Sequence, residues 1–393
     1  MIMKTFDSFF QKALKDRISK NIYRDLQPVV PGSGMIMECN GKHFINFSSN
    51  DYLGLSQNPL LKIQSQQWIE QYGNSSTASR LITGNYSFYP EIEKSLADFL
   101  GTEAALIFDS GWQANVAILA CLIEQLPKPV LVFTDRLNHA SLHYGCKAGQ
   151  VRQIRYRHCD MNHLSECLKR YAEVQGSRMI VTETIFSMDG DRSDLEVLRE
   201  LANQWQCFLY LDDAHASGVF GKYGKGLAPA YADLTLGTFS KGWGSFGAYV
   251  AGSRALCQWL INYCSGFIHT TALPPAVIGC IAKALELMPQ LDKARQFVLE
   301  QSDYVRNKMQ EWSIDVGGSN TQIIPVIVKD ANKAIQAAKL LADDGIWVMP
   351  IRPPTVSPNQ SRLRLTISAA HSKENIDQML NSFYKIRGLI QDS

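Results

Sequence analysis

The stretch Cys207–Gly221 reads CFLYLDDAHASGVFG. A cysteine and four apolar or aromatic residues run into two aspartates, then a histidine three positions after the first. A short apolar run that ends in acids and small residues fits a buried strand delivering polar groups at its carboxyl end. In open α/β sheets ligands bind beyond the carboxyl ends of strands. Asp212, Asp213 and His215 therefore stand where chemistry is expected. Asp213 reads best as a cap for the following segment. Asp212 still lies within the apolar run, and a buried carboxylate needs a cationic partner.

Working outward, similar runs recur at 103–108, 129–135, 151–158, 178–186, 234–239 and 247–252. Helical patterns lie between several of them, at 112–124, 161–174 and 193–205. The last opens with Ser193, with Glu196 three residues on, the spacing of a capping box. This alternation predicts an α/β domain with a mostly parallel sheet. Past about 286 the pattern becomes helix (290–312), strand (321–328), helix (334–345), strands (346–351 and 362–368) and a final helix (373–390). The expected organisation is an N-terminal segment 1–50, a large domain 51–285 and a smaller α+β domain 286–393. RPPTVSPNQS (352–361) carries three prolines and is expected to be an extended loop.

Composition narrows the function classes. The chain has 393 residues, 46% hydrophobic and 19% charged, with net charge +2. Nothing here favours nucleic acid or an anionic membrane as partner. No apolar run is long enough to span a bilayer. The first residues, MIMKTFDSFFQKALKDR, read as an amphipathic helix and not as a secretory signal. Nine scattered cysteines without CxxC fit reduced thiols in a cytoplasmic protein. His139 and His143 are four apart but lack a third ligand in the sequence, so no metal site is expected. GVFGKYGKG (218–226) misses the phosphate-loop spacing, and neither GxGxxG nor GxSxG is present in the expected context.

TFSKGWG (238–244) sets a lysine in a turn between two apolar segments. A buried ammonium is costly unless paired or chemically used. Lys241 and Asp212 could form a salt bridge, or they could hold opposite ends of one cofactor. Pyridoxal phosphate needs such a pair, an amine for covalent attachment and a carboxylate at the ring nitrogen. DSGWQAN (109–115) opens a helix after a strand and offers Ser110, Gly111 and Trp112 as an anion site. Thr238 can add a hydroxyl, Ser187 can reach a ring oxygen, and His139 can lie against a ring face.

Taken together these stretches resemble the α-oxoamine synthases, pyridoxal-phosphate enzymes of the aspartate aminotransferase fold. Further matches are NFSSNDYLGLS (46–56), ASRLITGN (78–85), NHASL (138–142), FSMDGD (186–191), TTALPP (270–275) and RLRLTISAAH (362–371). The resemblance implies fold type I, with Lys241 holding the cofactor and serving as base. It implies Asp212 at the pyridinium nitrogen, His215 and Ser187 at the ring oxygen, and His139 stacked on the ring. Gly111 and Trp112 would lie at the cofactor and Thr238 near its phosphate. Thr270 or Thr271 would reach the phosphate of a second subunit in a homodimer with shared active sites. Arg364 would bind the amino-acid carboxylate, Asn50 would lie near substrate, and Arg24 would help place the acyl group.

IRPPTV (351–356) followed by RLRLT is most similar to the biotin-pathway branch. That branch implies L-alanine and a pimeloyl thioester, on coenzyme A or on acyl carrier protein, as substrates. Rivals are sister synthases such as 2-amino-3-ketobutyrate ligase or 5-aminolevulinate synthase, a non-catalytic pyridoxal-phosphate module, and a structural α/β protein in which Lys241 pairs with Asp212. The chain departs from the family at Ser75–Ser79, where a glycine-rich loop is usual.

Overall fold

The structure is a computed structural model, and it describes residues 6–20 and 22–391. Helix α1 (Asp7–Ser19) buries none of its side chains. The first five residues of the expected amphipathic helix lie outside the described residues. Short strands β1 (Val30–Pro31), β2 (Ile36–Cys39) and β3 (Lys42–Asn46) follow, and then α2 (Pro59–Tyr72) and α3 (Phe88–Leu100). Asn58 caps α2 by accepting the Leu60 N–H, and Pro59 occupies its first position.

The central part alternates strands β4 (Ala104–Phe108), β5 (Val130–Asp135), β6 (Gln153–Tyr156), β7 (Ser177–Glu183), β8 (Cys207–Asp212), β9 (Leu234–Thr238) and β10 (Ala248–Gly252) with helices α4 (Gly111–Gln125), α5 (Ala140–Ala148), α6 (Met161–Arg170) and α7 (Leu195–Gln204). These strands form one seven-stranded sheet in the order β4-β10-β9-β8-β7-β5-β6. Strands β9, β8, β7, β5 and β6 are parallel, while β10 runs antiparallel to both β4 and β9. All seven strands coincide with those read from the sequence.

Both faces of the sheet are covered, and the strand alternation sorts the side chains. Val132, Val181 and Tyr210 pack with Ala114, Ile118 and Leu122 of α4. Their neighbours Phe133, Ile180, Leu209 and Leu211 pack on the other face with Leu164 and Leu168 of α6 and Leu198 of α7. Each such fully buried aliphatic side chain contributes roughly 1.5–3 kcal/mol. Because Asp212 shares the parity of Tyr210, it faces α4; Asp213 is turned the other way.

The cap of α7 differs from the expected one. Asp194, not Ser193, caps the helix by accepting the Val197 N–H. Ser193 instead donates its hydroxyl to the Glu183 carbonyl at 2.8 Å. A carboxylate one residue nearer the helix takes the cap because its oxygen reaches the third N–H directly.

Beyond β10 come α8 (Arg254–Tyr263), α9 (Ser265–Ile268), α10 (Pro275–Leu287) and α11 (Asp292–Glu311). Then follow β11 (Ile323–Lys329), α12 (Ala331–Asp343), β12 (Ile346–Trp347), β13 (Met349–Ile351), β14 (Ser361–Thr366) and α13 (Lys373–Gln391). The chain divides into two compact units, residues 50–299 and residues 1–49 with 300–393. The expected boundaries at 50/51 and 285/286 thus become 49/50 and 299/300, and the N-terminal segment is no separate arm. It joins the C-terminal unit because β3 pairs in parallel with β12, Ile45 opposite Ile346. Phe44 and Trp347 meet edge to face beside that pairing, at 5.1 Å. Residues 352–360 pass through two turns, closed by Thr355 N–H to Arg352 O and Gln360 N–H to Ser357 O, and are not extended as expected. Among the described residues no helix is long and apolar enough to cross a membrane.

Candidate active site

A cavity of about 240 Å³ opens at the carboxyl ends of the parallel strands in the 50–299 unit. Ser110, Gly111, Trp112, Asn115, His139, Ser141, Glu183, Asp212, Ala214, His215, Leu236, Thr238, Ser240 and Lys241 line it. Eight of the residues singled out in the sequence therefore meet in one place: Ser110, Gly111, Trp112, His139, Asp212, His215, Thr238 and Lys241.

Local sequence explains each placement. Strand β8 ends at Asp212, 5% exposed. Its carboxylate accepts from Asn115 Nδ2 at 2.7 Å and from the Ala214 N–H at 3.0 Å. Asn115 is fixed in turn, since its Oδ1 accepts from the Tyr210 hydroxyl at 2.7 Å. Two donors aimed at one buried carboxylate set its direction, so Asp212 is built to receive a donor from the cavity side. Asp213 meets Thr184 Oγ1 at 2.6 Å and the Leu227 N–H at 3.0 Å, away from the cavity. Burial pushes Asp213 up to about 8.

Lys241 sits in the turn after β9. The turn is anchored by Trp243, fully buried, whose Nε1 donates to Ser217 Oγ at 2.7 Å. Gly244 has φ +63°, and a Cβ there would lie 2.4 Å from the Leu55 carbonyl carbon, so the turn needs glycine. Lys241 Nζ lies 2.9 Å from His215 Nε2, and His215 Nδ1 lies 2.7 Å from the Tyr52 hydroxyl. Tyr52 Oη is also 3.1 Å from Asn50 Oδ1. One proton assignment satisfies all three contacts: the amine donates to Nε2, Nδ1–H donates to Tyr52, and Tyr52 donates to Asn50. Lys241 thus meets His215, while Asp212 is held by Asn115 and the Ala214 N–H.

Helix α4 points its N-terminus at the cavity. Ser110 caps it, accepting the Gln113 N–H at 3.2 Å. A Cβ on Gly111 would meet nothing nearer than Leu236 and Thr238 at 4.0 Å, so its cavity side is uncrowded. A helix start with positive partial charge suits a phosphate. Thr238 Oγ1 donates to the Gly247 carbonyl at 2.9 Å and lies 2.8 Å from Ser240 Oγ.

His139 caps α5, lies 2.7 Å from Ser141 Oγ, and meets Trp112 edge to face at 6.0 Å. Its backbone N–H donates to Glu183 Oε1. Desolvation by the surrounding walls lowers the His139 pKa, against the charge of Asp212. The Glu183 carboxyl stands beside Asp212 in the β7–β8 register. Burial raises its pKa well above the usual carboxylate range, and the neighbouring charge of Asp212 adds to the rise.

Other expected site residues lie elsewhere. Ser187 is half-buried in the turn after β7 and does not line the cavity. Thr270 donates to Asp109 Oδ2 at 2.6 Å, and Thr271 pairs in an isolated bridge with Ser79. Asn50 is not among the lining residues and is linked to the cavity through Tyr52 and His215. Arg24 and Arg364 belong to the other unit. There Arg24 donates to Thr355 Oγ1 at 2.9 Å, and Arg364 is buried in β14 opposite Pro325 and Met349. Sequence reading assigned no role to Asn115, Ser141, Glu183, Tyr52 or Ser240. All five nevertheless stood in stretches already marked: Asn115 in DSGWQAN, Tyr52 in NFSSNDYLGLS, Ser141 in NHASL, Ser240 in TFSKGWG and Glu183 in the run 178–186.

The geometry fits pyridoxal 5'-phosphate. An amine, an oriented buried carboxylate, a histidine and an open helix start surround one cavity, each a kind of group that this cofactor requires. The sequence profile of the aminotransferases of class I and II matches residues 42–383, and the chain belongs to that family. It is a pyridoxal-phosphate enzyme with the fold type I architecture. The 8-amino-7-oxononanoate synthase of Gluconacetobacter diazotrophicus is 49% identical over 386 residues, 97% of each chain. A crystal structure of 8-amino-7-oxononanoate synthase from Francisella tularensis superposes with TM-score 0.74 at 26% identity, over 87% of this chain and 97% of that one. A serine palmitoyltransferase structure with its pyridoxal phosphate superposes with TM-score 0.89 over 99% of both chains. At 24% identity that likeness shows the fold alone.

Proposed function

We propose that the protein condenses L-alanine with a pimeloyl thioester to give 8-amino-7-oxononanoate, a step of biotin synthesis. The observation that carries this reading is Lys241 and Asp212 lining one cavity at the start of α4, in a chain 49% identical to a synthase of that name. The fuller superposition on serine palmitoyltransferase does not favour serine as substrate, because sister enzymes share the scaffold and differ in side chains.

The cofactor, when bound, supplies an aldehyde and a ring that accepts electrons. Asp212, oriented by Asn115, is proposed to hold the proton on the ring nitrogen. The N-terminus of α4 with Ser110, Gly111 and Trp112, together with Thr238, is proposed to hold the phosphate. His139 covers one face of the ring, and His215 and Ser187 are assigned to its oxygen. Lys241 would carry the cofactor and, as a free amine, would remove the alanine Cα proton. His215 receives or returns that proton at 2.9 Å, with Tyr52 fixing its tautomer. The new bond joins alanine Cα to the thioester carbonyl carbon, the thiol leaves, the carboxylate departs as carbon dioxide, and Cα takes back a proton from Lys241 or His215.

Arg364 for the substrate carboxylate, Asn50 near the substrate and Arg24 for the acyl chain rest on the family resemblance. So does a homodimer in which the Thr270–Thr271 segment of one protomer serves the cavity of the other. A cytoplasmic location is supported by nine free cysteines. The decisive assay incubates the holoenzyme with L-alanine and pimeloyl-coenzyme A, or pimeloyl-acyl carrier protein, and weighs the product. The mass of 8-amino-7-oxononanoate is expected. Turnover of glycine or serine with another acyl thioester, and none with alanine, overturns the reading.

A further inference from the structure

Next to the cavity, the protein gathers Asp135, His158, Cys159 and Asp191, which come from three different strand ends. Asp135 ends β5 and its side chain is fully buried. Its Oδ1 accepts the Leu137 N–H at 2.8 Å and its Oδ2 the Cys159 N–H at 2.8 Å. Asp191 closes the turn after β7, where its carbonyl accepts the Phe186 N–H at 3.0 Å. His158 lies between the two carboxylates, with Nδ1 3.0 Å from Asp135 Oδ1 and Nε2 2.8 Å from Asp191 Oδ2. Phe186 meets the imidazole edge to face at 4.4 Å.

Asp135, His158 and Cys159 are close enough together to suggest a divalent metal. The hydrogen bonding speaks against it. A metal-binding histidine must offer a bare nitrogen, and both nitrogens of His158 face carboxylate oxygens. Carboxylates accept, so both nitrogens donate, and a ring with two N–H groups is a cation. Burying two carboxylates demands positive charge nearby, and the imidazolium supplies it. Burial by itself would lower the pKa of this ring; its hydrogen bonds to Asp135 and Asp191 outweigh that and push it up to about 12.

The two carboxylates sit at the roots of the segments that deliver His139 and Ser187. Asp135 holds the 136–139 loop through Leu137, and Asp191 closes the 186–191 turn. We propose that His158 is a positioning residue: bridging the two carboxylates, it ties the 136–139 loop to the 186–191 turn and thereby sets the pose of His139 against the cofactor ring. This rests on the assignment of the cavity as the cofactor site, and not on the identity of the acyl substrate.

The test uses the full-length holoenzyme and two variants, His158→Gln and Asp191→Asn. Outer partners that hold a binding residue typically matter by about 10- to 100-fold. For His158→Gln we expect a cofactor dissociation constant raised about tenfold and a weakened visible circular dichroism band of the bound cofactor. Asp191→Asn should move both readouts the same way and less, and it serves in place of His158→Gln if that variant does not fold. Nitrogen-15 NMR of histidine-labelled protein should show both His158 nitrogens protonated up to pH 9. A lowered Tm with unchanged circular dichroism and cofactor affinity in both variants would leave His158 a structural residue only, and overturn the proposal. So would a bare nitrogen on His158 at pH 7, or one cobalt(II) bound per chain and lost in His158→Gln. None of these readouts involves the acyl donor, so a wrong substrate assignment cannot imitate them.

Discussion

Two regions of this protein bury carboxylates beside a histidine, and they differ in what they leave open. In the cavity, Asp212 is held by Asn115 and the Ala214 N–H, while His215 joins Lys241 to Tyr52. Asp212, Asn115, His215 and Lys241 there all line the cavity. In the cluster at 135–191, His158 spends both nitrogens on Asp135 and Asp191. The residue types are the same, yet one arrangement can exchange protons with a ligand and the other is closed. Reactivity follows from which donors and acceptors remain uncommitted, not from the presence of acids and imidazoles.

The largest effect that would sharpen this contrast falls on the open region. Lys241→Ala is expected to lower turnover by more than about 10³-fold, since the variant loses both the attachment point and the base. The same variant should lack the absorbance of covalently attached cofactor, and cofactor fixed on the chain by borohydride reduction would place the attachment elsewhere. Asp212→Asn keeps the shape and removes the charge. Its kcat is expected to fall by about 10²- to 10³-fold, measured at saturating substrate, with folding unchanged by circular dichroism.

Asp213, one residue along, provides a contrast within a single dipeptide. Its pKa is raised to about 8 by burial. A raised carboxyl favours its protonated form in the folded state. Its contribution to stability is whole below the unfolded value near 4 and declines as pH rises toward 8. The Tm of the wild type relative to Asp213→Asn should therefore drop steadily from pH 4 to pH 8. A flat difference would mean that Asp213 is ionised in the fold. The smallest effect is expected for Glu183→Gln. Because burial and Asp212 favour a neutral Glu183, the amide should replace it with less than about threefold change in kcat, well under the cost expected at Asp212. A loss as large as that of Asp212→Asn would show that Glu183 works as an anion.

Much of the fold was legible in the chain. Seven apolar runs became the seven strands of the sheet, since alternating buried strands and amphipathic helices leave a periodic signal that needs no distant partner. Eight site residues were legible too, because strand ends in a parallel sheet converge on one edge. The remainder was not. Asn115, Tyr52 and Glu183 act through residues 97, 163 and 44 positions away, and no spacing rule connects them. The cap of α7 moved by one residue because two neighbouring side chains competed, and Ser193 found a carbonyl on β7.

The sequence by itself determined the sheet, the helices and the lysine and aspartate of the cavity, because local patterns of polarity dictate which face of each element is buried. Tertiary structure alone decided that the strands before residue 50 join the unit that begins at residue 300, through β3 and β12. It alone decided that Lys241 bonds His215 and leaves Asp212 to Asn115. Hydrogen bonds are short and directional, so which partners meet is fixed only when remote strands are brought within about 3 Å.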